Sequence, residues 1–565
     1  MGKHSKNIGE PKRPAARTGV FVCHCGSNIA GTLDCEGLTK YAATLPGVVF
    51  AKNNLYTCSD AGIAEIQSAI KEQALTRVVV ASCSPRTHMP LFKSACAEAG
   101  LNEYLFEMVN IRDQCSWVHM QEKDKALEKA KDLIRMGVAK ASFLEPEENI
   151  TSSLIHRALV IGGGVAGLSA AEGLADMAAE VVVVEMQEEL GGLLNRIHRL
   201  APRGSKASDY LDQLIKKVTS KPNVRLYLGS QVVGLNGFVG NYEVTVQDQN
   251  GRTSIEKVGV IVVATGAVPL EPHGLLGYNG QTVITQIQLE ERLRTGSFKA
   301  ERVVMIQCAG ARSPERPYCS RICCLTAVKN ALYIKEFNPE AHVHILYRDI
   351  QMYGAENERL LWESRGKGIR YDVYDVNQPP VVKDEIVEVY QPLVGEVEEI
   401  PYDLVVLSTP LVAREEAAPL AQLLRVPTDQ NHFFMEAHAK LRPLDFATDG
   451  IYLCGTARYP ATAGEARAQG LGAASRAGIV LSKDQLLSSA LVAEVDAESC
   501  VGCQGCLEMC PFGAIEYAAE QGVCQVNTIL CKGCGNCAST CPSQSIILKG
   551  FAPKQLLSQI RAIFC

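Results

Sequence analysis

Short β-branched runs alternate along this chain with longer segments of helical spacing. Val20–Cys23, Val78–Ala81 and Leu105–Val109 have strand length and composition, and Asp60–Glu72, Met89–Ala99 and Glu122–Ala141 have helical periodicity, the last charged enough to read as solvent-facing. That alternation predicts a small α/β unit over residues 19–145. A polar, proline-containing stretch, Glu145–Ser153, reads as a linker. Beyond it Leu159–Ile161 and Val181–Val184 bracket an Ala-rich helix, and Asp209–Ser220 is a packing helix. Hairpin patterns with an Asn250-Gly251 turn fill Leu226–Val263. Val262–Gly266, Arg302–Ile306 and Gly450–Ala457 mark further strands, and a Gly/Ala-rich helix follows the last of them through Ala477. Gly550–Cys565 is an amphipathic helix that packs either on a neighbouring chain or on its own core.

The first strand after the linker runs into Gly162, Gly164 and Gly167, which fit G-x-G-x-x-G, and the next strand ends at Glu185. Strand, tight turn, helix, strand and acid bring backbone amides up to a pyrophosphate and an acceptor to a ribose hydroxyl. A merely structural turn is the competing reading, and the flanking strands and acid weigh against it. Gly192, in LGGLL, lets backbone pass close to a cofactor. Ala264, Thr265 and Gly266, in VVATG, and Gly455 and Thr456, in GIYLCGTA, end the two late strands. From Leu154 to Leu487 the chain resembles the thioredoxin-reductase-like superfamily of two-dinucleotide-domain flavoproteins, in which such late strands close over the flavin. The resemblance implies FAD at this site. The family usually has Gly-Asp where this chain has Gly455-Thr456, so a hydroxyl or backbone contact must replace the acid that meets the ribityl chain.

With 565 residues the chain holds three or four domains, and its net charge of −6 gives no footing for nucleic acid. No apolar run reaches about 18 residues, so no membrane span is expected. The basic, proline-containing N-terminus is followed by no apolar segment of signal-peptide kind and reads as a disordered arm. The 22 cysteines suggest metal rather than disulfides in a cytoplasmic protein.

The cysteine spacing is clearest at the C-terminal end. Cys500, Cys503, Cys506 and Cys510-Pro511, then Cys531, Cys534, Cys537 and Cys541-Pro542, form two C-x2-C-x2-C-x3-C-P runs. This is the two-cluster ferredoxin repeat, in which the fourth cysteine of each run ligates the other run's 4Fe–4S cluster. Cys541 then joins Cys500, Cys503 and Cys506, Cys510 joins Cys531, Cys534 and Cys537, and Cys524 is spare. Zinc knuckles, the alternative, lack this interdigitation. A second group follows the strand Arg302–Ile306, where a nicotinamide-binding domain would carry its glycines. Only Gly310 remains of that pattern, and Cys308, Cys319, Cys323 and Cys324 occupy the turn and the next helix start. Four cysteines so close read as a further 4Fe–4S cluster, against reduced structural thiols. Losing the glycines removes the phosphate cradle and makes NADH access doubtful. Lys329, on the same predicted helix, is placed either to hydrogen-bond a flavin N5 or simply to lie exposed. Arg348 reads as a surface ion pair, the histidines as ordinary packing or surface residues, and Cys454 as a small buried residue. In the first domain Cys23, Cys25, Cys58, Cys83 and Cys115 stand at strand ends, where α/β sheets assemble sites. Their spacing is not that of a ferredoxin, and inert buried thiols compete with a cluster there.

VCHCGSNI, YTCSDAG, ASCSPRTHMPLF and NIRDQCSWVH, the flavin fingerprint, QCAGAR…YCSRICC, CKGCGNCASTCPSQSI and the terminal helix together resemble the heterodisulfide reductase A-subunit family over nearly the whole chain. The resemblance implies an FAD- and 4Fe–4S-containing electron-transfer subunit that bifurcates electrons in several relatives. It implies Cys308, Cys319, Cys323 and Cys324 as ligands of a cluster near the flavin, and Lys329 beside the isoalloxazine. It also implies an N-terminal cluster, best drawn from Cys25, Cys58, Cys83 and Cys115. Implied partners are other subunits of B and C type, a hydrogenase- or dehydrogenase-type donor or ferredoxin, and a second copy as a homodimer. Leu194–Val224 holds no cysteine, so this is a short form without the inserted ferredoxin domain of methanogen-type members.

The expected architecture is therefore an α/β, thioredoxin-reductase-like two-dinucleotide-domain flavoprotein core with an α/β domain before it and a two-cluster ferredoxin domain after it. Its parts are a basic arm at 1–18, an N-terminal domain at 19–145, an FAD domain from 151–270 and 410–487, and a degenerate NAD-like domain at 271–409. The ferredoxin domain at 488–550 and a helix at 551–565 complete it. A flavin flanked by clusters converts two-electron into one-electron traffic. The competing functions are a self-contained NAD(P)H-linked iron–sulfur flavin oxidoreductase and an assembly role with clusters as structural pins.

Overall fold

The computed structural model describes residues 16–202 and 204–564, so the expected arm lies outside the described residues as far as residue 15. Two compact units form, one from Met1–Thr151 with Leu487–Cys565 and the other from Ser152–Leu486.

The first unit opens with β1 (Thr18–Cys23), α1 (Cys35–Ala42), β2 (Val48–Asn54), α2 (Asp60–Glu72), β3 (Arg77–Ser82), α3 (Pro85–Glu98), β4 (Phe106–Asn110) and α4 (Lys123–Ala141). The strands form a parallel sheet in the order β2-β1-β3-β4. Its core is Val20–Val22 and Val78–Ala81, all fully buried, with Phe92 and Ile134. α4 departs from the solvent-facing helix expected. It buries Ala126, Ala130, Ile134, Gly137 and Val138, and its Lys140 reaches Glu107 at 2.9 Å. Apart from Lys140 the charges lie away from this buried face, and its small residues pack close to the sheet. The C-terminal part of this unit adds two short antiparallel pairings, Ala493–Val495 with Ile546–Leu548 and Ile515–Ala518 with Val523–Val526. The terminal helix, Pro553–Ile563, lies on α4 of the same unit: Arg135 Nη2 donates to the Ile563 carbonyl at 3.2 Å and Gln555 Nε2 to that of Phe143 at 3.0 Å.

The second unit carries two parallel five-stranded sheets. One runs Ile451–Leu453, Val260–Val263, Arg157–Ile161, Glu180–Val184, Val224–Tyr227. The other runs Val283–Thr285, Leu404–Leu407, Arg302–Ile306, His342–Tyr347, Arg370–Val373. An antiparallel three-stranded sheet, Ser230–Phe238, Asn241–Asp248 and Thr253–Val258, holds the Asn250-Gly251 turn, with Gly251 at φ +77°. Two parallel sheets with helices between the strands are the frame of a two-dinucleotide-domain flavoprotein. No helix among the described residues is long and apolar enough to cross a membrane.

Candidate functional site

The strand Arg157–Ile161 runs into Gly162, whose φ is +112° and whose Cβ would lie 2.3 Å from the Ala264 carbonyl oxygen. At Gly167 a Cβ would lie 1.9 Å from the Gly162 carbonyl oxygen. These two glycines are needed for the fold itself. Gly164 is different: nothing stands within 4 Å of its Cβ position, and it borders a cavity of about 870 Å³. Glu185, Gly192, Ala264, Thr265, Gly266 and Thr456 border the same cavity. Gly455 supports it from behind, at φ +70° and with its Cβ position 2.5 Å from Ala166 Cβ. The Glu185 carboxylate accepts from the Gly163 N–H at 2.6 Å and the Gln187 N–H at 2.8 Å, which ties the glycine turn to the next strand.

The cavity fits a dinucleotide. Its size suits a large ligand, and the helix Val165–Asp176 begins at its edge. Three buried polar atoms in its lining, Thr265 Oγ1, Arg199 Nε and Arg414 Nε, lack any partner within the protein. Arg199, Arg414 and Glu290 were not singled out by the sequence, where each sits in an ordinary polar pattern.

Lys329 is buried and lines this cavity together with Leu325 and Thr326, from the helix Cys323–Phe337. Its ammonium pairs with Glu290 and donates to the Arg199 carbonyl at 2.8 Å. The other Glu290 oxygen accepts the His198 N–H at 2.9 Å. Burial pushes the Lys329 pKa down from the usual lysine value, and Glu290 opposes the fall.

The same helix begins at Cys323 and Cys324. Cys323 lies near Cys324, and both lie near Cys308 and Cys319, so the four thiols share one locus. Cys308 has φ +59° in the turn after the strand Arg302–Ile306, a conformation a fingerprint glycine would ordinarily take. Burial lifts Cys323 to about 12 and Cys324 to about 11. Without a ligand these thiols stay protonated, and iron, which takes thiolates, must displace their protons. Arg348 is not the surface ion pair expected: it donates to the Arg312 carbonyl at 2.8 Å and to the Tyr374 hydroxyl at 3.2 Å, and with Arg312 it opposes the rise at Cys308. Arg321, at φ +61°, donates its N–H to Cys319 Sγ at 3.3 Å and reaches Glu465 at 2.8 Å. Cys454 is fully buried and lifted to about 12, with no charged neighbour among the causes.

In the first unit the cysteines gather at the C-terminal edge of the sheet. Cys58 interacts with Cys23 and Cys25, and Cys83 with Cys23, Cys58 and the Arg112 guanidinium. Cys115 is fully buried in the π-turn Arg112–Ser116, lifted to about 11 by burial, with Lys129 as its charged neighbour. Cys35 and Cys96, both lifted to about 12, belong to the core.

In the C-terminal part the thiols pack around Ala493, Ile515 and Ile546. Cys537 lies near Cys531, Cys510 and Cys534, the grouping of the interdigitated repeat, and Cys506 near Cys524 and Cys503. The Ala514 N–H points at Cys510 Sγ at 3.3 Å and the Ala493 N–H at Cys531 Sγ at 3.4 Å. Backbone donors to sulfur suit thiolate ligands of a cluster, whose potential such bonds tune. Among the described residues no His, Cys, Asp and Glu close around one point as a single ion would require. A cluster with one thiolate on each iron spaces its ligands more widely.

Residues 156–470 match the pyridine nucleotide-disulphide oxidoreductase family and residues 494–545 the 4Fe-4S dicluster domain. The second iron-sulfur A-subunit of the CoB–CoM heterodisulfide reductase of Methanopyrus kandleri is 37% identical over 604 positions, covering 90% of this chain and 92% of that protein. The A-subunit of the H(2):CoB-CoM heterodisulfide,ferredoxin reductase of Methanothermobacter marburgensis is 36% identical over 654 positions, covering 99% and 98%. Both alignments exceed the 565 residues of this chain, so both relatives carry residues it lacks.

Proposed function

This chain belongs to the heterodisulfide reductase A-subunit family, an oxidoreductase family with FAD and 4Fe–4S cofactors, and from that premise we propose that it is the electron-exchanging subunit of a larger cytoplasmic complex. Electrons pass between its flavin and its clusters, and the partners are subunits of B and C type, with ferredoxin or a hydrogenase- or dehydrogenase-type protein at the donor end. The observation that carries this reading is the single helix Cys323–Phe337, which offers Cys323 and Cys324 to one cofactor and Leu325, Thr326 and Lys329 to the cavity of the other.

A bound flavin exchanges two electrons with one side and single electrons with a cluster. The protein's part is to hold the dinucleotide on the Gly162–Gly167 turn, to keep the cavity dry around a buried cation, and to set a cluster beside it. Lys329, held by Glu290, sits where charge building up on a reduced ring would be met by its ammonium. That cation supports electron bifurcation as the finer reading. An N-terminal cluster on the first unit's sheet edge belongs to the same proposal. The cysteine turn at Cys308, standing where a nicotinamide domain keeps its glycines, favours entry through iron–sulfur partners over NAD(P)H.

The test is anaerobic stopped-flow absorbance of the reconstituted chain mixed separately with NADH, NADPH and reduced ferredoxin. Flavin bleaching by ferredoxin and not by the nicotinamides is expected. Rapid bleaching by NAD(P)H alone would overturn the proposal in favour of a self-contained oxidoreductase.

A further inference from the structure

We infer that the hydroxyls of Thr57 and Ser82 are hydrogen-bond donors to the sulfur of a cluster held at the C-terminal edge of the β2-β1-β3-β4 sheet, and that they raise its reduction potential. The inference rests on the N-terminal cluster proposed above.

Both side chains are sealed from solvent, Thr57 at 0% and Ser82 at 1% exposure, yet neither hydroxyl has a hydrogen-bond partner. A buried hydroxyl left unpaired carries its full desolvation penalty, and buried polar groups are nearly always satisfied. Two such hydroxyls at one sheet edge therefore point to an acceptor that is not a protein atom.

The sheet register says what that acceptor lies among. Val22 stands opposite Ala81, so Cys23 and Ser82, the last residues of β1 and β3, occupy adjacent strands at the same level. In a parallel pair, residues at one level point to the same face. Cys23 also stands opposite Asn54, at the end of β2. Thr57 comes from the loop beyond β2, and its backbone N–H donates to Cys23 Sγ at 3.4 Å. Thr57 and Ser82 each directly precede a cysteine of the group, Cys58 and Cys83. Four cysteines, Cys23, Cys25, Cys58 and Cys83, interact electrostatically around them. The Ser82 hydroxyl leans toward Cys83 and opposes the rise of its pKa, without forming a hydrogen bond of normal geometry. His24 Nε2 and Asn54 Oδ1 are further unpartnered buried atoms of this edge, on residues that are partly exposed.

A water bridging the buried, unpartnered Asn54 Oδ1 and the two hydroxyls is the competing occupant, and it predicts unchanged midpoints in the test below. Cluster sulfur, by contrast, accepts from several donors at once. One-electron reduction adds one negative charge to the cluster, the electron coming from the titrant, and no bond is made or broken. A donor to sulfur stabilises that added charge, so each hydroxyl moves the potential upward.

The experiment uses the full chain, purified anaerobically, with iron and sulfide content and cluster reduction followed by electron paramagnetic resonance during a potentiometric titration. The double variant C58S/C83S identifies the N-terminal signal and is expected to lose about four irons per chain. T57V and S82A are expected to keep the wild-type iron content and to shift that signal's midpoint to lower potential, the double variant further than either. T57S, which keeps the hydroxyl, restores the wild-type midpoint. Unchanged midpoints at unchanged iron content overturn the donor role. Unchanged iron in C58S/C83S overturns the cluster itself, a separate failure. Should T57V lose iron, S82A, which only removes an oxygen, decides alone.

Discussion

Cys23 and Cys115 show how one residue divides a sequence reading from a structural one. The family resemblance places Cys115 with Cys25, Cys58 and Cys83, while the structure gives Cys58 and Cys83 a common neighbour in Cys23. If neighbours decide ligation, C23S loses about four irons per chain and C115S none. The reverse outcome keeps the set implied by the resemblance. Glu436 and Arg458 form a second informative pair. Arg458, just after the Gly455–Ala457 turn, donates Nη2 to Glu436 at 3.0 Å and Nε at 3.1 Å, with both side chains largely buried. Those bonds hold the Glu436 carboxyl below its usual 4.5. A depressed acid stabilises the fold above its unfolded pKa, and the contribution fades as pH falls through the folded one. E436Q should therefore loosen the turn by about 1.5–3 kcal/mol at pH 7. The gap to wild type should narrow as pH falls below 4.5 and close once pH has passed the lowered folded value. Amide exchange over 451–458, corrected for intrinsic rates, reads both.

At the scale of elements, the glycine turn separates fold from cofactor. Because the Gly164 Cβ position is empty space beside the cavity, G164A should fold as wild type and lose FAD, seen as a lower flavin-to-protein absorbance ratio. G162A and G167A should instead damage the sheet-helix junction, since their Cβ atoms would strike backbone. Local elements were readable where the signal is local. α2 was legible to the residue, because Ser59 caps it at Gly62 and its apolar spacing is regular. β2 was not, since its apolar run, Val48–Ala51, is short and the edge strand ends in the polar Lys52, Asn53 and Asn54. α1, behind its Asp34 cap, was missed for its short length. Glu290 was illegible for another reason: its partner, Lys329, lies 39 residues away on a different helix. The flavin strands, the glycines and the ferredoxin spacing carry their chemistry in sequence order and were all visible there.

The whole molecule holds what no local pattern records. Residues 19–145 and the C-terminal cysteine segment read as separate pieces, yet they build one unit. Lys549 meets Glu147 at 3.0 Å, Lys554 meets Glu145 at 2.7 Å, and the Ala490 N–H donates to the Tyr104 hydroxyl at 2.8 Å. Removing residues 552–565 strips α4 of its partner helix and leaves Arg135 without its carbonyls. The truncated chain should lose protection in α4 and in the neighbouring sheet by hydrogen exchange, while the Ser152–Leu486 unit stays as protected as before.

A unit built from both ends of the chain also orders events during synthesis. Its first half is made before Ser152–Leu486, and its second half only after all of that segment. At about 5–20 residues per second that is a wait of roughly 20–70 s. Over that interval the N-terminal cysteines stand on a sheet whose partners do not yet exist, open to whatever delivers iron and sulfide. Arrival of the Pro553–Ile563 helix on α4 then closes an assembly in which the proposed N-terminal cluster site has already had its chance to be filled.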